Sequence, residues 1–392
     1  MIYILNRATS LLLLFVLLFA PACKGGGGGG SDDNGSSSQT LTKIATVTLG
    51  LNETSTHTVT VPDGSSSLTI IADGGTAMDL DISNITDPTG FVMVSENFAS
   101  DPIGYNFTQR FGGSVVSFTL PHSDSYSFTP GEWSFTIKSY PIFGRGWPSD
   151  VSVYTVVKTG LGSTLNINVW LVAIGDYQGD GDPNLATMLD EFKRLLGKAG
   201  ITVANVNIRE LGGEQAERLT FPDMVTDSNS DRQADDLDEL FRMSSQAGND
   251  YLNIFLVRSL GAGILGISGG IPGPHLIQGT AHSGVVFTTY GGLTQMSHSN
   301  LITQGETMAH EVGHFMGLFH TTEKNGSGFD PISDTPECDR ATYDTNGDGR
   351  VSSTECADAD GRNLMFWQAA PFAQETFSST QSRVMRLTPA VK

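Results

Sequence analysis

The pattern of apolar and polar positions divides the chain near residue 160. Between about Leu41 and Lys158, short runs alternate between apolar and polar residues, and clusters of Gly, Pro and Asp separate them. Alternation with a period of two is typical of strands that bury one face, and no useful helical period occurs here. The pattern therefore predicts an all-β sandwich over residues 41–160. Its clearest strands are expected at 58–61, 67–71, 80–82, 133–137 and 151–157.

After residue 160 the pattern becomes that of an α/β domain. Apolar strands are expected at 165–173, 201–208 and 252–257, and amphipathic helices at 184–200 and 233–246. This alternation predicts a sheet covered by helices. A further apolar run at 284–287 has two interpretations. It is either an edge strand on which an extended peptide pairs or an ordinary strand within the sheet.

Length, composition and charge narrow the class of protein. The 392 residues contain 39% hydrophobic and 16% charged residues, which is ordinary for folded protein and enough for two domains. The net charge of −20 argues against a nucleic-acid partner and gives no reason for electrostatic binding to anionic lipid.

The first residues have the features of an export signal. Arg7 precedes an apolar stretch at 11–19, and Ala20-Pro21-Ala22 places small residues before Cys23. The apolar stretch is too short for a transmembrane helix. Residues 1–23 resemble a bacterial lipoprotein signal, which implies lipidation of Cys23; ordinary signal-peptidase cleavage near Ala22 is the alternative.

Residues 24–40 are rich in Gly and Ser and predict a flexible tether. A lipid anchor at Cys23 followed by this tether would attach the protein to the bacterial outer membrane or cell surface. Under the alternative cleavage the protein would be secreted.

Residues 310–320, His-Glu-Val-Gly-His-Phe-Met-Gly-Leu-Phe-His, carry the clearest chemistry of the chain. On a helix, His310 and His314 lie one turn apart on the same face and can share one ion. Gly317 allows the chain to turn back so that His320 becomes a third ligand. Three protein ligands are typical of catalytic zinc, and Glu311 is placed to take a proton from an attacking water. The alternative, an amphipathic helix with histidines on its inner face, rarely matches five fixed positions.

The motif resembles the metzincin clan of zinc endopeptidases, in which a methionine turn lies below the metal. Met365, within Asn363-Leu364-Met365-Phe366-Trp367, fits that turn. Within the clan, the runs 320–322, 334–338 (Asp-Thr-Pro-Glu-Cys) and 377–385 look most like the pappalysin (cytophagalysin-type) family. The resemblance implies a metzincin-like metalloprotease domain at 163–392. In that domain His310, His314 and His320 would bind Zn²⁺, Glu311 would be the general base, and Met365 would support the site.

One residue departs from the clan pattern. Many clan members have a tyrosine two residues after the turn methionine, where its hydroxyl can stabilise the developing oxyanion. Here that residue is Trp367, whose indole offers only an N–H donor. Oxyanion stabilisation would then have to come from other groups.

Residues 344–355 match a twelve-residue calcium loop. Gly349 stands where the loop needs its sharp turn. Without convincing flanking helices, the pattern favours a structural Ca²⁺ site, and the alternative is a solvated acidic loop. The expected ligands are Asp344, Asn346, Asp348, the Arg350 carbonyl, Ser352 and Glu355.

Cys338 and Cys356 bracket the calcium loop. In an exported protein they are expected to form a disulfide, which would contribute about 3 kcal/mol in the chain-entropy model. Two free thiols are the alternative.

Together these features predict a lipid-anchored zinc endopeptidase that cleaves extracellular or surface proteins. Two other functions are considered: a weakly active or inactive surface-binding lipoprotein that uses the protease domain as a scaffold, and a zinc hydrolase of non-peptide bonds. The sequence leaves the substrate and the oligomeric state open. Residues 41–160 resemble a jelly-roll accessory domain, but they can equally be a removable pro-segment.

Overall fold

The computed structural model describes residues 37–76, 78–94, 111–140, 148–222, 236–261 and 263–392. The expected signal peptide, Cys23 and most of the expected tether lie outside these ranges. Within them, no helix is long and apolar enough to cross a membrane.

Strands from the first part of the chain form two antiparallel sheets. One sheet has the order β1-β9-β3-β7, and the other has the order β2-β8-β4-β5, with β6 also pairing with β4. Each expected strand lies within one of these strands, whereas β1, β5, β6 and β7 were not expected. The strands are β1 (Ser38–Leu49), β2 (Thr54–Val61), β3 (Ser65–Asp73), β4 (Asp79–Thr86), β5 (Val92–Val94), β6 (Phe111–Gly113), β7 (Val115–Leu120), β8 (Gly131–Tyr140) and β9 (Ser149–Thr159).

The start of β1 corrects one boundary. The tether was expected to run to residue 40, but Ser38 already pairs with Thr159 at the end of β9. Residues 38–40, Ser-Gln-Thr, are polar, so their composition resembles that of the tether. Backbone pairing with β9, which the pattern of side chains does not reveal, makes them part of the strand.

The two sheets share one apolar cluster. Trp133 and Phe135 of β8 pack in it with Ile70 of β3 and Phe118 of β7, and each is at most 3% exposed. The indole N–H of Trp133 donates to the carbonyl of Thr129 at 2.9 Å, so the large side chain is buried without an unpaired donor. Each such side chain contributes roughly 1.5–3 kcal/mol on burial.

A third sheet, with the order β11-β10-β12-β14-β13, forms the core of the C-terminal part. Its strands pair in parallel except β13, which is antiparallel to β14. Four of the five expected elements match this sheet and its first helix closely. Of the helix expected at 233–246, residues 233–235 lie outside the described ranges; the described part ends at Arg242 and continues as a 3₁₀ turn, Met243–Ala247. The elements are β10 (Thr164–Val172), α1 (Pro183–Lys198), β11 (Thr202–Leu211), α2 (Glu214–Leu219), α3 (Asp236–Arg242), β12 (Leu252–Val257), β13 (Gly266–Ser268), β14 (Val285–Thr288), α4 (His298–Phe315), α5 (Arg340–Tyr343) and α6 (Ser379–Leu387).

The apolar run at 284–287 is not an edge strand. Strand β14 lies between β12 and β13, and all four of its residues are buried. The edge is β13, whose Gly266 pairs with Phe287. The interpretation of 284–287 as a peptide-pairing edge was therefore wrong, because a strand of only three residues in a glycine-rich segment covers it.

Helix α1 packs closely on α4, the helix that carries the zinc motif. A Cβ added at Gly305 of α4 would lie 2.6 Å from the Cβ of Glu191 on α1. At the rim of this contact, Arg194 bridges Glu191 at 2.6 Å and Glu375 at 2.7 Å. Glu306 lies near both carboxylates; burial, together with Glu191 and Glu375, raises its pKa to about 7.

The raised pKa of Glu306 makes the stability of the fold depend on pH. The ordinary pKa of 4.5 applies to the unfolded chain, so the folded protein binds more protons between pH 4.5 and about 7. The free energy of unfolding therefore falls as the pH rises through that window. For a half-buried group we expect the loss to be about 1 kcal/mol after solvent screening.

Glu306→Gln removes this titration. We expect the variant to melt about 2–4 °C higher than the wild type at pH 8 and at the same temperature at pH 4.5. Thermal unfolding at the two pH values measures the difference. An equal shift at both values would show that Glu306 does not titrate as described.

Candidate active site

Helix α4 and the reversal that follows it bring three histidines together. Ser297 caps the helix by accepting a hydrogen bond from the N–H of Asn300 at 3.2 Å. The helix ends at Phe315, and Gly317 has a φ of +93°, in the left-handed region that glycine adopts without strain. The chain turns back there and places His320 against His310 and His314.

The histidines His310, His314 and His320 are buried, at 7%, 1% and 4% exposure. Their ring centroids are 4.6 to 5.4 Å apart, and one ligand atom from each lies within 4.8 Å of the others. Each ring uses its Nδ1 in a hydrogen bond. The partners are the Leu364 carbonyl at 2.6 Å, the Leu318 carbonyl at 2.6 Å and Glu323 Oε1 at 3.0 Å.

The opposite nitrogens fit a metal ion. The three Nε2 atoms are buried and have no hydrogen-bond partner, although buried polar atoms nearly always have one. Hydrogen bonds to two carbonyls and a carboxylate require Nδ1 to carry the proton, which leaves the Nε2 lone pair free. Burial lowers the pKa of His310 to about 3 and that of His314 well below its usual value. Both rings are therefore neutral, and three neutral imidazoles are a typical set of ligands for catalytic zinc.

The Glu323 carboxylate orients the third histidine, so its removal should weaken metal binding. Losing such a partner typically costs 10- to 100-fold in metal affinity. Because Glu323 is 38% exposed, we expect Glu323→Ala to lose about 10-fold, near the lower limit. Competition with a chromophoric zinc chelator measures the affinity, with Glu214→Ala as a surface control. Equal affinities in wild type and variant would contradict the role of Glu323.

Glu311 is 1% exposed, and its Oε1 has no hydrogen-bond partner. Burial raises its pKa to about 8, and a hydrogen bond from the Ser268 backbone opposes this shift. A cation held by the neighbouring imidazoles would favour the carboxylate form. Strand β13 lies directly over this side chain, because a Cβ at Gly266 would be 2.8 Å from Glu311 Cγ. The residue is therefore a positioned carboxyl group that can accept and return a proton.

Met365 lies beneath α4. It is fully buried, and a Cβ at Gly313 would be 2.6 Å from its Sδ. Its backbone N–H donates to Asn363 Oδ1 at 2.8 Å, and its carbonyl accepts from the N–H of Thr321 at 3.0 Å. Since the carbonyl of the preceding residue holds His310, the turn fixes the orientation of that ring.

The indole N–H of Trp367, two residues after the turn methionine, already has a hydrogen-bond partner. It donates to the Val351 carbonyl at 2.8 Å. The ring packs in a small buried cluster with Phe366 and the two cysteines. The side chain therefore attaches the calcium-loop segment to the methionine turn.

Cys338 and Cys356 form a disulfide, with their Cα atoms 5.7 Å apart, and both are fully buried. The prediction of this pairing is confirmed. The bond closes the segment that contains the predicted calcium loop, 344–355.

The predicted calcium loop has the expected turn, with Gly349 at a φ of +80°. Its oxygens accept hydrogen bonds from the loop itself. In the described part of the chain, two groups of three potential metal-ligand side chains have their ligand atoms within 4.8 Å of one another. One is the three histidines. The other is Cys338, Cys356 and Asp360, whose two cysteines are joined in the disulfide. The structure thus does not bring the calcium-loop carboxylates together to that degree. In each of these bonds a backbone N–H of the loop donates to a side-chain oxygen. Asp344 accepts from Gly347, Asp348 and Gly349, Asn346 accepts from Asp348, Asp348 accepts from Arg350, and Glu355 accepts from Thr345 and Ser352.

Three contributors to the site were not found from the sequence. Glu323 lies three residues after His320, and a carboxylate at that spacing could have indicated the hydrogen bond. Gly266 and Ser268 lie far away along the chain and carry no local signal. Only the tertiary packing of β13 on α4 makes them neighbours of Glu311.

Comparison with known proteins finds a family to which the C-terminal part is similar. Residues 238–392 match the family model Peptidase_M43, described as pregnancy-associated plasma protein-A. Extracellular metalloproteases of Arthroderma otae, Arthroderma benhamiae and Trichophyton verrucosum are each 36% identical over 93 residues, which is 23% of this chain and 34% of each relative. The chain thus matches about a third of the length of these relatives.

Two solved structures are more distant. Mirolysin is 17% identical over 58% of this chain and 91% of its own, with a TM-score of 0.35. Metalloproteinase-II from Bacteroides fragilis is 12% identical over 58% of this chain and 54% of its own, with a TM-score of 0.32. The family match begins at Asp238 in α3, later than the expected domain boundary at residue 163. Residues 238–392 are thus similar to the pappalysin family of metallopeptidases.

Proposed function

We propose that the protein is a zinc-dependent endopeptidase that hydrolyses peptide bonds of extracellular or surface proteins. The observation that carries the proposal is the set of three buried Nε2 atoms without partners, next to the buried carboxyl group of Glu311. A zinc ion held by His310, His314 and His320 would polarise the scissile carbonyl and lower the pKa of a water molecule.

Glu311 would take the proton from the attacking water and return it to the leaving amine. Burial raises the proton affinity of Glu311, and a zinc ion on the three histidines would lower it, so the two effects together would suit Glu311 to proton transfer near neutral pH. The Ser268 backbone holds this carboxyl group in place. Among the described residues, strand β13 is the edge of the sheet, and an extended peptide would pair along it. This edge favours peptide over non-peptide substrates.

Cleavage of a diverse peptide mixture by the purified protein tests the proposal. Products are read by mass spectrometry with zinc, with a zinc chelator, and after zinc is added back. We expect cuts within peptides that the chelator abolishes and zinc restores. Cuts that persist under chelation would point to a contaminating or metal-independent peptidase and contradict the proposal.

Trp367 supports a second candidate function, a surface-binding lipoprotein that uses the protease domain as a scaffold. Because its indole is bonded to Val351, it cannot replace the clan tyrosine as an oxyanion donor. Zinc binding without any cleavage in the same peptide experiment would favour this candidate.

We also propose that residues 344–355 bind a structural Ca²⁺ through Asp344, Asn346, Asp348, the Arg350 carbonyl, Ser352 and Glu355. The match of the loop to ligand spacing supports this. Val351 connects the loop to the active-site floor, since its carbonyl accepts from Trp367 and its N–H donates to the Lys324 carbonyl at 3.1 Å.

Calcium at 100 times its dissociation constant should raise the free energy of unfolding by about 2.7 kcal/mol. Asp344→Asn should remove most of this gain, whereas Asp63→Asn on the N-terminal part should keep it. Thermal unfolding with calcium and with EGTA measures the effect. An unchanged melting temperature in the wild type would exclude a structural calcium site in the loop.

Export, a lipid anchor at Cys23 and a β-sandwich accessory domain at 41–160 complete the proposal. The sequence of residues 1–23 supports export, and the matched relatives are described as extracellular. The shared apolar cluster of the two N-terminal sheets supports the sandwich. Metabolic labelling with a fatty acid, compared between the wild type and Cys23→Ala, tests the anchor.

A further inference from the structure

The N-terminal sheets are joined to the end of the chain by a buried lysine. Lys158 of β9 is 0% exposed. Its ammonium group donates to the backbone carbonyls of Arg386 at 2.7 Å, Thr388 at 2.8 Å and Val391. The three N–H donors of the ammonium group thus have three carbonyl acceptors. All three acceptors lie at the C-terminal end of α6 or in the residues that follow it.

No carboxylate of the described residues pairs with this ammonium group. Burial lowers the pKa of Lys158 to about 7, and Arg386 contributes to the shift. Helix C-termini attract cations because their last carbonyls lack partners within the helix. Lys158 therefore acts as a cap supplied to α6 by another part of the chain.

Neighbouring contacts reinforce this junction. The Ser67 hydroxyl of β3 donates to the Leu387 carbonyl at 2.7 Å, and the N–H of Gly162 donates to the Arg386 carbonyl at 2.9 Å. A Cβ at Gly162 would lie 2.2 Å from the Val391 oxygen and 2.9 Å from Lys158 Nζ. The backbones approach so closely that no side chain fits between them.

The other end of α6 supports the methionine turn. Ser378 and Gln381 form a capping box there. Gln381 is 0% exposed, and its Oε1 accepts from Asn363 Nδ2 at 2.8 Å. Asn363 Oδ1 in turn accepts from the Met365 N–H at 2.8 Å. The Leu364 carbonyl between them holds the Nδ1 of His310 at 2.6 Å.

We propose that Lys158 is a positioning residue of the metal site, which acts through α6 on the turn that orients His310. In the same proposal, residues 38–159 are a permanent part of the metallopeptidase and not a removable pro-segment. The proposal rests on the proposed function in taking His310, His314 and His320 as the zinc ligands. The sheets fix one end of a helix whose other end fixes the turn. Loss of the lysine would release the helix end and let the His310 ring reorient.

Lys158→Met tests the proposal, because methionine fills similar space and donates no hydrogen bond. The matched control is Lys43→Met, the same substitution at an exposed position of the same sheet. Zinc affinity is measured by competition with a chelator, at a temperature where circular dichroism shows each variant to be folded. We expect Lys158→Met to bind zinc about 10-fold more weakly, as for loss of other supporting hydrogen bonds, and Lys43→Met to bind like the wild type.

A lower melting temperature with unchanged zinc affinity would overturn the proposal, since Lys158 would then only join the two parts. If Lys158→Met does not fold, Ser67→Ala replaces it by deleting a single buried hydrogen bond to the same segment. A smaller loss of zinc affinity is expected, and wild-type affinity would count against the proposal.

Mass spectrometry of the active enzyme tests the permanent role of residues 38–159. The cleaving species should retain them, and activity that appears only after their removal would overturn this part of the proposal. If even the wild type cleaves no peptide, the proposed function fails, while the zinc comparison between Lys158→Met and Lys43→Met still decides the role of Lys158.

Discussion

Glu311→Gln is expected to lower kcat/KM for peptide hydrolysis by about 10²–10⁴-fold, the usual contribution of a general base. Glutamine has nearly the same shape and can still accept the Ser268 backbone hydrogen bond, but it cannot take a proton. The three imidazoles are unchanged, so zinc should stay bound at one ion per chain. Initial rates on a fluorogenic peptide, with zinc content measured on the same samples, report both quantities.

Glu306→Gln is the matched control, because it makes the same substitution on the same helix and its peptide hydrolysis should be close to that of the wild type. Activity within tenfold of the wild type in Glu311→Gln would remove Glu311 from the role of general base. Loss of zinc in that variant would instead indicate that Glu311 is a ligand.

Gly266→Ala should damage the site through strand β13. The added methyl group would lie 2.7 Å from Phe287 Cδ1 and 2.8 Å from Glu311 Cγ. Phe287 is 0% exposed and has no room to yield, so the strand or the Glu311 side chain must move. Displacing a catalytic group by about 1 Å typically costs about 10²-fold in rate. We also expect a loss of about 1–3 kcal/mol in the free energy of unfolding from overpacking.

Gly197→Ala is a suitable control on helix α1, because a Cβ at that position meets no atom within 4 Å. It should leave the rate unchanged and stabilise the fold by about 0.5–1 kcal/mol, since alanine favours helices more than glycine does. If Gly266→Ala kept the wild-type rate, the close contact of β13 with Glu311 would not matter for catalysis.

Much of the fold could be predicted where periodicity was strong. Helix α1 and strands β10, β11 and β12 have clear patterns of apolar residues, and they form as expected. Strand β1 was missed although Leu41, Ala45, Val47 and Leu49 alternate with polar residues. Its first residues, 38–40, carry no apolar signal, and backbone pairing with β9 makes them part of the strand. Strand β13 was missed because three residues are too few to show alternation.

The residues of the candidate site also differ in whether the sequence could predict them. His310, His314 and His320 could be identified because ligand chemistry at fixed spacing is visible along one helix and its reversal. The supporting hydrogen bonds could not be identified from the sequence, because Ser268 lies on strand β13 and Lys158 comes from the N-terminal sheets. Such contacts depend on how distant elements pack, which a local pattern does not specify.

X-ray absorption spectroscopy of the zinc-loaded protein tests the central claim most directly. One zinc ion per chain should show three imidazole nitrogens at about 2.0–2.1 Å, with oxygen completing the coordination. His314→Ala should lose this signal. A spectrum with sulfur ligands or fewer imidazoles, or one unchanged in His314→Ala, would place the metal elsewhere and contradict the proposed active site.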